Sequence, residues 1–337
     1  MIALQVAWFL LIGVVLTVYV VLDGFDLGVG IWYPFARRDE ERRALLASVG
    51  PVWDGNEVWL LTGGGALFAA FPPVYAAVFS GLYLPLMLLL FALIARAVSF
   101  EFRGKEDAAG WRKAWDAAFA LGSILPAFLF GVVAGNLLRG LPLDARGDYA
   151  GGFLDLLHPF ALVAGGLGFA LFAQQGATWA WMKTEGELTD QARGWAFLSW
   201  GAAALLFVAA TIWVLAGLPH LRENFLALPV LWGLPVAALV LLALTGWAVL
   251  TDHSGRAFLF SSLTIVSLMA TFGASVFPHF VRASNDPRLS LTAYNSSSSA
   301  LTLEVMLVIA GLGVPLVAGY TIWAYRKFRG KVRVGHY

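Results

Sequence analysis

Asp23, Asp26, Asp54 and Glu57 are carboxylates set within two strongly apolar runs of the chain. Asp23-Gly24-Phe25-Asp26 interrupts the first run, and Trp53-Asp54-Gly55-Asn56-Glu57 opens the second. A charged group at bilayer depth costs ~2.5–3.5 kcal/mol or more, and by default it marks an ion or proton path. A spacing of three puts Asp23 and Asp26 on one helix face, and Asp54 and Glu57 on another. Arg96 closes the third run on the same side, and Asp116 opens the fourth there. Five acids and one arginine are thus expected in a common layer at one end of the first four helices. Two chemistries fit. The acids can pair with Arg96 and with helix-end amides as a structural network. Alternatively, they relay protons from a hydrated mouth on one side of a membrane, the reading favoured for the cluster as a whole.

The elements that must hold these groups follow from composition. The chain has 337 residues, of which 60% are hydrophobic and 13% charged. A soluble domain would carry roughly 25% charged residues. The apolar runs are long and continuous, so they read as helices and not as alternating barrel strands. Nine runs are expected to span: 6–33, 53–72, 74–99, 114–138, 155–183, 193–216, 226–250, 257–281 and 300–326. The expected class is an all-α polytopic membrane protein, arranged as two four-helix bundles plus one peripheral helix. No linker divides it, so residues 1–337 are expected to form a single integral membrane domain. The first run lacks a basic flank and a small-residue cleavage site, which predicts a retained helix.

Charge sets the orientation. One face receives 34–50, 100–113, 184–192, 251–256 and the tail after 325, and with Arg96, Lys183 and Arg193 it holds 17 of the 22 Lys and Arg. Arg139, Arg146, Arg222, Arg282 and Arg288 lie on the other face. The positive-inside rule makes the first face cytoplasmic, with the N-terminus outside and the C-terminus inside. The longest polar connectors, 139–154 and 282–299, fall outside, and Ser296–Ser299 reads as a loop leading into a helix start. Gly24-x-x-x-Gly28 and Gly131-x-x-x-Gly135 allow close helix approach.

Several chemistries lack their residues. The chain has no Cys, which excludes disulfides, thiolate metal sites and iron–sulfur clusters. His158, His220, His253, His279 and His336 fall at span ends, in loops or in the tail. None sits mid-span, where a haem ligand would be needed. No metal site is expected, and a net charge of +1 gives no basis for a nucleic-acid partner. A secondary transporter would use the same acids, but it predicts symmetric broken helices. Pro126, Pro235 and Pro315 lie within spans without forming such a pair. A purely structural membrane subunit also stays open.

At its motifs the chain resembles subunit II of the cytochrome bd-type quinol oxidases. The resemblance rests on Asp23-Gly-Phe-Asp-Leu-Gly28, Pro51-Val-Trp-Asp-Gly-Asn-Glu-Val-Trp59, Gly64-Gly-Ala-Leu-Phe-Ala-Ala-Phe-Pro72 and Phe100-Glu-Phe-Arg103. Gln175-Gly-Ala-Thr178, Lys183-Thr-Glu-Gly-Glu187 and Phe260-Ser-Ser-Leu-Thr264 follow in order over most of the chain. The resemblance implies a multi-pass protein of a bacterial or archaeal cytoplasmic membrane. The implied partner is a haem-bearing subunit I carrying haem b and haem d, with room for a small accessory transmembrane subunit. The resemblance further implies that such a pair oxidises quinol and reduces oxygen to water with protons from the cytoplasm. By position, Asp23, Asp26, Trp53 and Asp54 match proton-path and haem-stabilising residues, and Glu57 joins them through its place in the acid layer. Arg96 and Asp116 match positions tied to assembly of the haem region. A quinone or lipid held structurally in this chain is a further expectation.

Overall fold

The computed structural model describes residues 1–332; His336 lies outside the described residues. The long apolar runs become helices because no other structure satisfies backbone groups in lipid. The first, α1 (Ile2–Trp32), ends in a tight turn at Tyr33-Pro34-Phe35. A short amphipathic helix, α2 (Asp39–Val49), follows on the basic face, with three acids in its first turn. Then come α3 (Trp53–Ala70), α4 (Pro72–Gly81), α5 (Tyr83–Phe102) and α6 (Ala109–Arg139). The second half holds α7 (Pro159–Lys183), α8 (Glu187–Gly217), the short α9 (Glu223–Ala227), α10 (Gly233–Leu250), α11 (Ser254–Val276) and α12 (Ala300–Lys327).

Among the described residues, eight of these helices are long and apolar enough to cross a membrane: α1, α5, α6, α7, α8, α10, α11 and α12. The polar first turn of α3 lowers its hydropathy, yet it covers the same depth. Its Asn56 bonds Asp26 and Tyr325 near one face, and its Ala69 and Ala70 carbonyls accept from Ser298 near the other. Counting α3, nine helices among the described residues run between the two faces. The expected span 74–99 is corrected: Pro72 and Pro73 open a separate ten-residue helix after Phe71, and the chain breaks again at Leu82. The crossing helix therefore starts at Tyr83. Pro235 lies in the first turn of α10, where its missing N–H leaves no bond unmade.

Helices α1, α3, α5 and α6 form one group, and α7, α8, α10 and α11 a second; α12 lies against α1 and α3. The two groups meet where α6 and α1 pack on α7, with α1 also touching α11. There a Cβ added at Gly28 would collide with the Phe172 carbonyl and the Gly176 backbone, and one at Gly176 would collide with Gly28. Gly131 and Gly135 let α6 approach Ala161, Ala164 and Gly165 of α7 in the same way. Indole N–H groups tie the helices further. Trp32 donates to the Ala173 carbonyl at 2.7 Å, Trp8 to Leu303 at 2.9 Å and Trp179 to Ser48 at 3.1 Å.

The polar connectors opposite the basic face are knitted together. Leu141 donates to the Arg282 carbonyl at 2.9 Å, and the Asn285 side chain bonds both backbone groups of Leu143. Two short strands, β1 (His279–Val281) and β2 (Leu291–Thr292), pair antiparallel in this cap. Ser299 caps α12 by accepting from the Thr302 N–H, so the serine run is a loop and a helix start.

Candidate functional site

The acids of α1 and α3 converge on one cation from α5. Arg96 is fully buried, and its Nη2 donates to Asp23 at 2.5 Å and to Glu57 at 2.9 Å. Asp23 also accepts from the Tyr19 hydroxyl at 2.8 Å. Beside this pair, Asp26 accepts from the Asn56 amide at 2.7 Å, and Asn56 in turn accepts from the Tyr325 hydroxyl at 2.9 Å. Asp26 Oδ1, Arg96 Nε and Arg96 Nη1 are buried without a protein partner. Two carboxyls, Asp23 and Glu57, thus share one guanidinium, and a third, Asp26, lies beside them. Excess buried negative charge is costly, and a bound proton or ordered water relieves it. Asp23 and Arg96 are sealed, whereas the Glu57 side chain is 23% exposed. The arrangement suits a buried acid pair with one carboxyl reaching the surface.

The other expected residues lie at different distances from this network. Asp54 is exposed one helical turn before Glu57, outside the hydrogen-bonded set. Trp53 stacks face to face on Phe100, with ring centroids 4.8 Å apart. Phe100 meets Phe119 edge-on, and Phe119 meets Tyr33 edge-on. These four rings form a seam between Arg96 and a second polar cluster.

Asp116 belongs to that second cluster. It accepts from Arg103 Nε at 2.6 Å and from the Tyr33 hydroxyl at 2.5 Å, with Arg42 at 3.3 Å. Arg103 also binds Asp39 at 2.6 Å. The single acid layer expected from the sequence is therefore two clusters. Arg103 directly follows the last residue of α5, seven residues after Arg96, or about 10 Å along the axis. The second cluster clasps the loop helix α2 to α5 and α6.

Asp39 in the clasp and Glu41 beside it on α2 lie outside the spans. Burial pushes the Asp39 carboxyl up, but Arg103, Arg43 and Arg112 outweigh it and hold it below its usual value. Burial likewise acts upward on Glu41, and the Arg37 and Arg38 amides with the Arg38 guanidinium bring it down. A carboxyl lowered on folding stabilises above its unfolded pKa, and that stability is lost as pH falls through the folded value. The clasp is thus expected to loosen only on the acid side, below about pH 4. Thermal unfolding followed across pH should show a steeper acid-side fall in wild type than in Arg103→Gln. Identical acid limbs would contradict this role.

Tyr19, Asn56, Tyr325, Arg103 and Asp39 are participants the acid pattern did not single out. Tyr19 had a local signal, four residues before Asp23 on one helix. Tyr325 had none, being 269 residues from Asn56. The histidines sit at element ends: His158 caps α7 by accepting from Phe160, His279 opens β1, His253 precedes α11, and His220 bonds the Leu138 carbonyl. An apolar cavity of about 420 Å³ opens among α6, α7, α8 and α11, lined by Phe130, Leu167, Phe207, Met269 and Phe272.

The family described as cytochrome bd terminal oxidase subunit II matches residues 4–328. The chain belongs to this family. It is 39% identical over 360 residues to the cytochrome bd-I ubiquinol oxidase subunit 2 of Escherichia coli (strain K12), covering 98% of this chain and 95% of the relative. It is 36% identical over 336 residues to the cytochrome bd ubiquinol oxidase subunit 2 of Bacillus subtilis (strain 168), covering 98% of each. Its fold matches a chain of the bd oxidase from Geobacillus thermodenitrificans with a TM-score of 0.78 at 17% identity, over 97% of this chain and 98% of that one. The bd-type subunit II is a multi-pass membrane protein and part of an oxidoreductase, with a subunit I as partner. Its Arg96 network and its α2 clasp both lie toward the basic face.

Proposed function

We propose that this chain supports the haem-bearing subunit I of a quinol-oxidising, oxygen-reducing complex and leads cytoplasmic protons toward it. The observation that carries this reading is the convergence of Asp23 and Glu57 on the buried Arg96, with Asp26 alongside and Glu57 reaching the surface. Asp54, exposed one turn away, gathers protons at the mouth, and Glu57 passes them to the Asp23 and Asp26 pair. Trp53 packs the wall of the path. Arg96 holds the acids, and Asp116 holds α2 in place. The b- and d-type haems are assigned to the partner, as the family resemblance implies; the four histidines among the described residues lie at helix caps, in a turn and in β1. The apolar cavity among α6, α7, α8 and α11 suits the tail of a quinone or lipid held structurally. Residues 1–337 act as one membrane unit, and a small accessory transmembrane subunit is compatible with the apolar faces left exposed on α8 and α12.

Asn keeps the shape of Asp but carries no titratable proton. Asp26→Asn and Asp54→Asn are expected to slow quinol-driven oxygen uptake roughly tenfold or more while haem content stays near normal. Both quantities should be measured on the same purified complex across pH. Full turnover with normal haem in both variants would remove the proton role and leave a scaffold subunit.

Orientation has its own test. The basic face is assigned to the cytoplasm, with the N-terminus outside and the C-terminus inside. Because the chain has no native Cys, Arg329→Cys introduces a lone thiol. A membrane-impermeant maleimide is expected to label it only after the cells are opened. Labelling in intact cells would reverse the orientation.

A further inference from the structure

A cavity of about 530 Å³ lies where the C-terminal ends of α2, α7 and α12 meet on the basic face. Lys183, Lys327, Arg329 and Lys331 line it, Trp179 and Tyr325 give it an aromatic wall, and among the described residues no carboxylate lines it. Three acids on this face pair with other cations: Glu41 and Glu187 with Arg38, and Asp252 with Arg193. Lys183 is the deepest of the cations, only 9% exposed, and stands 4.9 Å over the Trp179 ring. Its ammonium has three donors, and among the described residues it meets one protein acceptor, the Phe328 carbonyl at 2.7 Å. The chain after α12 folds back, with the Val332 N–H donating to the Lys183 carbonyl at 2.8 Å. That turn brings Arg329 and Lys331 to the mouth. The N-terminus of α3, which has no side-chain cap, opens beside Val52 on the same wall.

Four like charges around one cavity repel one another, and an anion among them removes the penalty. The position selects the anion. Tryptophan, tyrosine and lysine at helix ends mark the headgroup layer of a bilayer. Basic pockets between membrane helices on the positively charged side suit anionic headgroups. We infer that this cavity binds the phosphate of an anionic glycerophospholipid, with Lys183 at its base and Lys327, Arg329 and Lys331 around its mouth. The bound lipid staples the C-terminal turn to α2 and α7.

The test uses the intact oxidase complex in neutral detergent, stripped of lipid and titrated with dioleoylphosphatidylglycerol or dioleoylphosphatidylcholine. Native mass spectrometry counts the lipid retained. Phosphatidylglycerol is expected to bind and phosphatidylcholine to wash off. Arg329→Gln with Lys331→Gln removes two exposed side chains, so folding is not at stake. Affinity for phosphatidylglycerol is expected to fall roughly fivefold per cation removed. Lys183→Met should lower it further, with haem content as the check on folding. Equal retention of the two lipids, or unchanged affinity in the double variant, would overturn the inference. Displacement of the lipid by inorganic phosphate alone would also overturn it, by assigning the cavity to a soluble anion.

Discussion

Arg96→Met is expected to yield almost no assembled, haem-containing oxidase. The side chain is fully buried, and its Nη2 meets both Asp23 and Glu57. Met fills much of the same space, so packing is not the main loss. What goes is the cation between carboxylates that have few other donors. Asp23 would keep the Tyr19 hydroxyl, and Glu57 would keep none from the network. Leaving one half of a truly buried ion pair costs about 3–5 kcal/mol. That is a large fraction of the total stability of an ordinary domain. Arg96→Lys separates charge from shape. A single nitrogen bonds both carboxylates in the native site, so an ammonium can replace it in part. The lysine variant is expected to recover a measurable share of the complex, read as haem per unit protein and as thermal stability. Wild-type assembly in Arg96→Met would show that the acids need no cation.

Gly176→Val is expected to be comparably severe without touching a polar group. The α1 and α7 backbones approach at Gly28 and Gly176 so closely that a Cβ on either would enter the other main chain. Overpacking a core commonly costs about 1–3 kcal/mol, when neighbouring side chains can shift. Here the obstacle is backbone, which has no rotamer to change, so the helices must separate. Asp23 and Asp26 sit within two turns of Gly28 on the same helix, and moving α1 displaces them from Arg96 and Asn56. Gly28→Ala should be milder but in the same direction. Yield of haem-containing complex and its melting temperature report both. A valine at 176 with native yield and melting temperature would mean that the crossing is looser than described.

Much of this site was legible before any coordinates. Asp23, Glu57 and Arg96 could be brought together because a charge inside an apolar run must find a partner, and helix ends limit the depth at which it can. The same reasoning misplaced Asp116. Knowing only which end of a helix a residue occupies does not resolve two helical turns, and that distance separates the Arg96 network from the Arg103 clasp. The division of residues 72–102 into α4 and α5 was likewise invisible to hydropathy, because both pieces are similarly apolar and the chain breaks between them at Leu82, just past Gly81. Tyr325 could not be found by spacing at all. Its contact with Asn56 exists only because α12 runs antiparallel to α3 and ends beside its first turn.

The ring seam of Trp53, Phe100, Phe119 and Tyr33 has a consequence for how the chain feels its surroundings. Arg42 and Asp39 on the clasp side are partly open to bulk electrolyte. Mobile ions reach them and screen their attraction, within a Debye length of about 8 Å at physiological ionic strength. Asp23 and Arg96, behind the aromatic wall, are beyond that screening cloud. Raising the salt concentration should therefore slacken the tether of α2 and leave the inner ion pair at full strength.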